Sequence, residues 1–420
     1  MREMKDSGIE WIGKIPKEWG IVKFKYLHNG LNTGEAIDKE YWESDAGPNA
    51  FYTAGLTPIR TGYSNFPTWK ETGENDLLLA RNGTPYVYLP VSKAYYTDHI
   101  IRAAMSRHVN RRFIRYCLQQ SIASIVVDSV SIPTWSATLW NNQILTWPSA
   151  IEQERIAAFL DAECAEIDTV LEKTRASIEE YKKLKQAVIT QAVTKGIRGD
   201  RPMKDSGIEW IGEIPESWEV SSVRYIGQLQ NGISKGGEFF GKGFPFVSYG
   251  DVYKNYELPH SVSGLIDTTE DERATYSVEY GDIFFTRTSE TIEEVGFSCV
   301  CKRSIPNATF AGFIIRLRPF CTDEKILTDY AKYYFRGEHI RAYLVKEMNL
   351  VTRASLGQTL LKGMSVIVPP KSVQKEIAEY LDDKCADIDA LVAKKQQYLT
   401  EIENYKKSLI YEYVTGKREV

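Results

Sequence analysis

The 420-residue chain is poor in cysteine, in histidine and in long apolar runs, and each shortage removes a class of function. Six cysteines are too few to staple a chain of this length. Cys299 and Cys301 form a CxC with no second pair nearby, and the five histidines do not gather around cysteines, so the spacing argues against zinc. No apolar stretch reaches the ~20 residues of a membrane span. The charged N-terminus lacks the apolar segment of a signal peptide, and a cytoplasmic protein is expected. A basic excess is missing as well: net charge is −4 and the isoelectric point about 5.9. Proteins that bind DNA alone often carry such an excess. Binding here would need local basic patches or a basic partner.

Catalytic patterns are also wanting. "GGEFFGKG" (236–243) nearly spells a phosphate-binding loop, but Gly243 stands where a magnesium-holding Ser or Thr belongs, and no strand-then-helix pattern flanks it. "FFGKG" within it spells F-x-G-x-G, but the Pro-Pro at "VPPKS" (368–372) lacks the flanks of a methyltransferase motif. Asp323–Lys325 and Asp382–Lys384 are Asp-x-Lys triplets without an upstream acidic ligand, and Asp382 falls on a helix whose charged face is expected to be solvated. The pattern is that of a binder, not a catalyst.

What the chain does have is a repeat. "MKDSGIEWIGKIPKEW" (4–19) returns as "MKDSGIEWIGEIPESW" (203–218), 199 residues later. "QERIAAFLDAECAEIDTVLEK" from Gln153 returns as "QKEIAEYLDDKCADIDALVAK" from Gln374, 221 residues later. The 22-residue difference places extra residues inside the second half. Each half thus has a fixed opening, a variable middle and a fixed end.

The fixed ends read as helices with a heptad seam: Leu160, Ile167, Leu171 and Ile178 in the first, Leu381, Ile388, Val392 and Leu399 in the second. Cys164 and Cys385 fall on it as small apolar residues. Its polar breaks match, Thr174 and Lys185 against Lys395 and Lys406. Ser149 with Glu152 forms a capping box, and Gly196 and Gly416 stand where each helix should stop. About 45 residues give rods of roughly 65–70 Å. Such stripes can pack on their own domains or on each other; the strict 3.5 period favours a coiled coil. The middles carry short β-rich runs, "NDLLLARNG" (75–83) and "GDIFFTRTS" (281–289), and aligning Asp76 with Asp282 brings Arg81 onto Arg287. They are expected to share a frame and differ in surface.

The duplicated "DSGIEWIGxIPxxW", with the proline-bearing lead into "EQERIAAFLD" (152–161) and "VQKEIAEYLD" (373–382), resembles specificity subunits of type I restriction-modification systems along essentially the whole chain. The resemblance implies an α+β chain of two pseudo-repeated α/β target-recognition domains, 1–148 and 200–370. A long helix follows each, 149–199 and 371–420, and the two form an antiparallel coiled coil. It implies that the chain catalyses nothing and holds no cofactor. Its partners would be double-stranded DNA, two adenine-methylating modification subunits and two ATP-driven restriction subunits, which would carry S-adenosylmethionine, ATP and magnesium. Each domain would read half of a split target, with half-sites about 34 Å apart. A coiled-coil scaffold without sequence-specific binding, and an enzyme with its site in one middle, are the competing readings.

No recognition residue is fixed by the resemblance. The candidates combine a donor with a loop beside a strand: Arg81, Asn82 and Thr84 after "DLLLA", and Arg287, Thr288 and Ser289 after "DIFFT". "RAAMSRHVNRRFIRY" (102–116) reads as an amphipathic helix whose Arg102, Arg107 and Arg111 either face phosphate or cover a solvated face. Trp135 and Trp140 are expected in the core or against the coil.

Overall fold

The protein is described by a computed structural model covering all residues except 1, 43–46, 54, 126–132, 200, 290–294 and 348–353. The chain forms two compact units, Met1–Arg175 with Gln397–Val420, and Ala176–Gln396. Each long helix contributes to both.

The first unit is built on a four-stranded sheet of β1 (His28–Thr33), β2 (Asp76–Ala80), β3 (Val87–Tyr88) and β4 (Ile100–Met105), in the order β1-β4-β2-β3. All five residues of β2 are buried, as a continuous apolar run bounded by turns requires. Helix α1 (Arg111–Ala123) is capped by Asn110 and packs Phe113, Ile114, Cys117 and Leu118 into the core beneath. The second unit repeats this frame with β5 (Gly227–Asn231), β6 (Ile283–Thr286), β7 (Ser298–Val300) and β8 (Ile314–Pro319), in the order β5-β8-β6-β7. Helices α3 (Thr328–Tyr334) and α4 (Glu338–Glu347) follow.

Beside each large sheet lies a three-stranded one whose middle strand pairs antiparallel on one side and parallel on the other: Ile59–Thr61, Asn49–Tyr52, Tyr95–Tyr96 in the first unit, and Gly264–Ile266, Phe240–Val247, Thr309–Phe310 in the second. The parallel strand crosses tightly over a glycine. A Cβ on Gly34 would lie 1.9 Å from Tyr96 O, and one on Gly232 2.2 Å from Ala311 O, so neither position admits a side chain. The glycine-rich "GGEFFGKG" leads into this second small sheet: Gly237–Phe239 form a short helical turn and the strand begins at Phe240.

One expected element is corrected. Residues 102–116 are not one helix: Arg102–Met105 belong to β4, and α1 begins only at Arg111. Ile101 and Ala103 pair with Leu79 and Leu77 in the middle of the sheet, and this long-range ladder overrides the local helical spacing.

The long helices are α2 (Ala150–Lys195) and α5 (Lys371–Val414). Ser149 caps α2 as the sequence implied: Glu152 N donates to Ser149 Oγ at 3.3 Å, and Ser149 N to Glu152 Oε2 at 3.4 Å. Within each unit the two helices run antiparallel. In the first, Lys406 reaches Asp168 at 2.6 Å, Arg175 reaches Glu403 at 2.7 Å, and Phe159 meets Tyr413 with ring centroids 4.5 Å apart. In the second, Lys185 reaches Asp389 at 2.6 Å and Lys395 lies over the Tyr181 ring. The seam follows the heptad. Leu160, Cys164, Leu171 and Ile178 are buried, as are Leu381, Cys385 and Ile388, while Ile167, Val392 and Leu399 are half-buried. The helix ends also sink into the domains, Ile189 and Val193 into the second core and Ile410 and Val414 into the first.

The duplicated opening motif is the seat for a helix end. Gly416 (φ 69°) stops α5 and lies against Trp19, 3.0 Å from a Cβ built on it. Gly196 (φ 81°) stops α2 and lies against Trp218, 3.3 Å from the same construction. Both left-handed positions suit glycine. Two helix ends need the same seat, so the motif occurs twice.

Candidate nucleic-acid interface

The chain leaves each large sheet at the same corner, and the candidate side chains stand there. In the first unit Arg81 follows β2; its N–H donates to His99 O at 2.8 Å, and its carbonyl accepts from Trp135 N at 2.6 Å. Two indoles fasten the corner from below, Trp140 Nε1 donating to Ala80 O at 3.1 Å and Trp135 Nε1 to Gly83 O at 2.6 Å. Both tryptophans are core residues, 0% and 4% exposed. In the second unit Arg287 N donates to Phe313 O at 2.8 Å, and Arg287 O accepts from Leu356 N at 2.7 Å. The same two bonds hold both arginines, so the alignment of Asp76 with Asp282 is structurally correct.

The backbone is shared and the side chains are not. Arg81 and Thr84 are exposed, Arg81 Nη1 donating to Asp98 O at 3.3 Å, and Asn82 is half-buried with its Nδ2 2.7 Å from His99 Nδ1. Arg287 and Thr288 are half-buried, and Thr288–Ser289 pair with Ala354–Ser355. The side chain of Ser289 lies outside the described residues. The corner includes two residues that sequence reasoning missed, His99 in the first unit and Phe313, 63% exposed, in the second. They occupy equivalent places before β4 and β8. Only strand register reveals this, since both precede their strands in otherwise ordinary loops.

The other arginine candidates part company. Arg107 is exposed in the turn before α1. Arg111 donates to Asp76 O at 3.0 Å, and burial lowers its pKa. Arg102 is turned inward: Nη1 donates to Glu71 O at 2.7 Å and to Trp69 O at 3.0 Å, and Nε lies 3.6 Å from the Asp76 carboxylate. Arg316 on β8 does the same work, donating to Ser277 O at 2.6 Å and to Gln230. Asp282, fully buried, accepts from Arg318 Nε and Nη2 at 2.7 and 2.6 Å. Burial pushes its carboxyl up, and these bonds oppose the shift.

Beneath each sheet an aspartate on a long helix anchors the domain. Asp161 accepts from Tyr116 Oη at 2.8 Å, and Asp382 from Tyr333 Oη at 2.7 Å and from Lys332. Asp382 is exposed on the charged face of α5, as expected, and there also serves as a structural acceptor. No three His, Cys, Asp or Glu among the described residues lie together as a metal site would need. No described helix is long and apolar enough to cross a membrane.

Residues 215–402 match the family described as type I restriction modification DNA specificity domain. Over 97% of its length the chain is 23% identical to the type I restriction enzyme MjaVIII specificity subunit of Methanocaldococcus jannaschii, covering 94% of that protein. The chain is similar to type I restriction-modification specificity subunits. Among other such subunits, that of the EcoKI enzyme of Escherichia coli is 24% identical over 276 residues, 64% of this chain and 56% of that protein. A solved chain described under "complex assembly and conformational transition of the type I R-M system" shares the fold, with a TM-score of 0.69 and 15% identity over 96% of this chain and 99% of that one. The matched specificity domain includes β6, the Arg287 corner and the anchor Asp382.

Proposed function

We propose that this specificity subunit reads a bipartite DNA target, one half-site per domain, through the corners at Arg81 and Arg287. The carrying observation is that two main-chain bonds fix both corners identically while the side chains differ: Arg81, Asn82 and His99 in one, Arg287, Thr288 and Phe313 in the other. A rigid backbone with exchangeable donors is what base readout needs. Arginine pairs bidentately with guanine, asparagine with adenine, and an apolar ring can meet a thymine methyl group. The repeated openings and helices supply two like surfaces for two modification subunits. Restriction subunits would complete the complex, and S-adenosylmethionine, ATP and magnesium would reside on these partners, in the cytoplasm. The chain's −4 charge leaves much of the phosphate contact to them. The test is duplex binding by the chain with its modification subunit. Changing either half of the target should weaken binding by ~1–3 kcal/mol per altered base pair, and altering the spacer sequence should not. Equal affinity for all duplexes would refute the reading.

A further inference from the structure

The repeat decays soon after the opening motif, and one exposed residue survives the decay. "GIVKFKYL" (20–27) corresponds to "EVSSVRYI" (219–226), and of the eight pairs only Tyr26 and Tyr225 are identical. The buried pairs keep character rather than identity: Phe24 stands against Val223 and Leu27 against Ile226, none more than 4% exposed. The tyrosines are the opposite case, 68% and 58% exposed. Packing within the fold does not account for an identity at so exposed a position. Each ring also carries a cation from the preceding residue, Lys25 Nζ 4.9 Å and Arg224 Cζ 5.2 Å from the centroids.

Their place in each unit argues for a protein rather than DNA as what covers them. In the first unit β1 runs from His28, paired with Met105, to Thr33, paired with Ile101, and the Arg81–His99 corner lies beyond the Thr33 end. Tyr26 lies beyond the other end, where Ser106 N donates to Leu27 O at 3.0 Å. In the second unit Phe320 N donates to Ile226 O at 3.0 Å, at the end of β5 remote from the Arg287–Phe313 corner. The strands have six and five residues. At a rise of ~3.3 Å per residue they put ~15 Å or more between each tyrosine and its corner. A surface kept in both halves, away from the divergent corners, suits a partner that meets both halves alike.

We infer that Tyr26 and Tyr225 are the anchors on which two copies of the proposed modification subunit dock. Each ring enters an apolar pocket of that subunit, and the cation over the ring faces an acidic rim. A tyrosine fits this role because its large, stiff side chain buries much apolar area for little lost freedom, and tyrosine and arginine are prominent among the residues that carry interface energy. This inference rests on the docking of two modification subunits proposed above.

The test is calorimetric titration of the modification subunit into the full chain, with native mass measurement of the products and duplex binding by each variant alongside. The wild-type chain should bind two copies. Tyr26→Ala and Tyr225→Ala should each weaken the binding of one copy about tenfold or more and leave the other unchanged, and the double variant should weaken both. The substituted positions are exposed, so the urea midpoint should stay where it is in the wild-type chain. Should an alanine variant fold poorly, Lys25→Glu and Arg224→Glu, which reverse the charge over each ring, should act alike. Two unchanged binding events in the double variant would overturn the inference. Equal loss of affinity for every duplex, with both copies still bound as before, would also overturn it and assign the tyrosines to phosphate. Failure of the wild-type chain to bind any modification subunit would refute the docking proposal itself, and this inference with it.

Discussion

Arg102 and Arg316 face Leu78 and Phe284 at matching places on β4 and β8, and each donates to the carbonyl of a matching loop, Glu71 O or Ser277 O. These are clamps for the loop that leads into the central strand. Among the described residues Arg287 is held through its backbone, and the proposed reading assigns its guanidinium to recognition. The two roles predict opposite outcomes. Arg102→Ala leaves carbonyls without donors and should lower stability by ~1–3 kcal/mol, read as a fall in the urea midpoint. Arg287→Ala should change stability by less than ~0.5 kcal/mol and cost ~1–3 kcal/mol of preference for the cognate duplex over random DNA. Uniform weakening on all sequences would assign Arg287 to phosphate instead. The sequence aligned Arg81 with Arg287 because the strands before them look alike. It could not separate Arg102 from the exposed arginines, because the carbonyls that claim Arg102 lie some thirty residues back along the chain.

At the scale of elements, the heptad seam was readable because a 3.5 period leaves one face buried along its whole length. The Ser149 cap and the stop glycines were readable for a similar reason, each being a local rule of backbone geometry. The helix expected over 102–116 failed because sheet pairing is not local. The repeat also explains the polar breaks. Lys185 with Asp389 and Lys406 with Asp168 are one contact made twice, once per unit, since Lys185 corresponds to Lys406 and Asp168 to Asp389. Each exposed pair adds only ~0.2–1 kcal/mol, so their effect lies in setting register and direction. A fragment of residues 1–199 therefore holds both members of that contact on one helix. Two copies should pair antiparallel, Lys185 of each meeting Asp168 of the other, and bury the seam at about 25 cal/mol per Å² of apolar surface. Light scattering of the fragment should give a dimer. A stable, folded monomer would contradict this account of the seam.

Over the whole molecule, the repeat carried the architecture, because the opening motif and long helix recur in an order that leaves little choice of fold. The surface proposed to read DNA stayed hidden for the same reason. It lies in the middles, where the halves diverge and where His99 and Phe313 meet the arginine corners only through strand register. The central claim is that each middle reads its own half-site independently of the other. The most direct measurement is methylation mapping in cells expressing the chain with the proposed modification subunit, before and after residues 20–145 are replaced by the equivalent segment of a type I restriction-modification specificity subunit. The account predicts a split target whose one half changes with the replacement while the other half stays as it was. A change in both halves, or methylation without a split target, would contradict it.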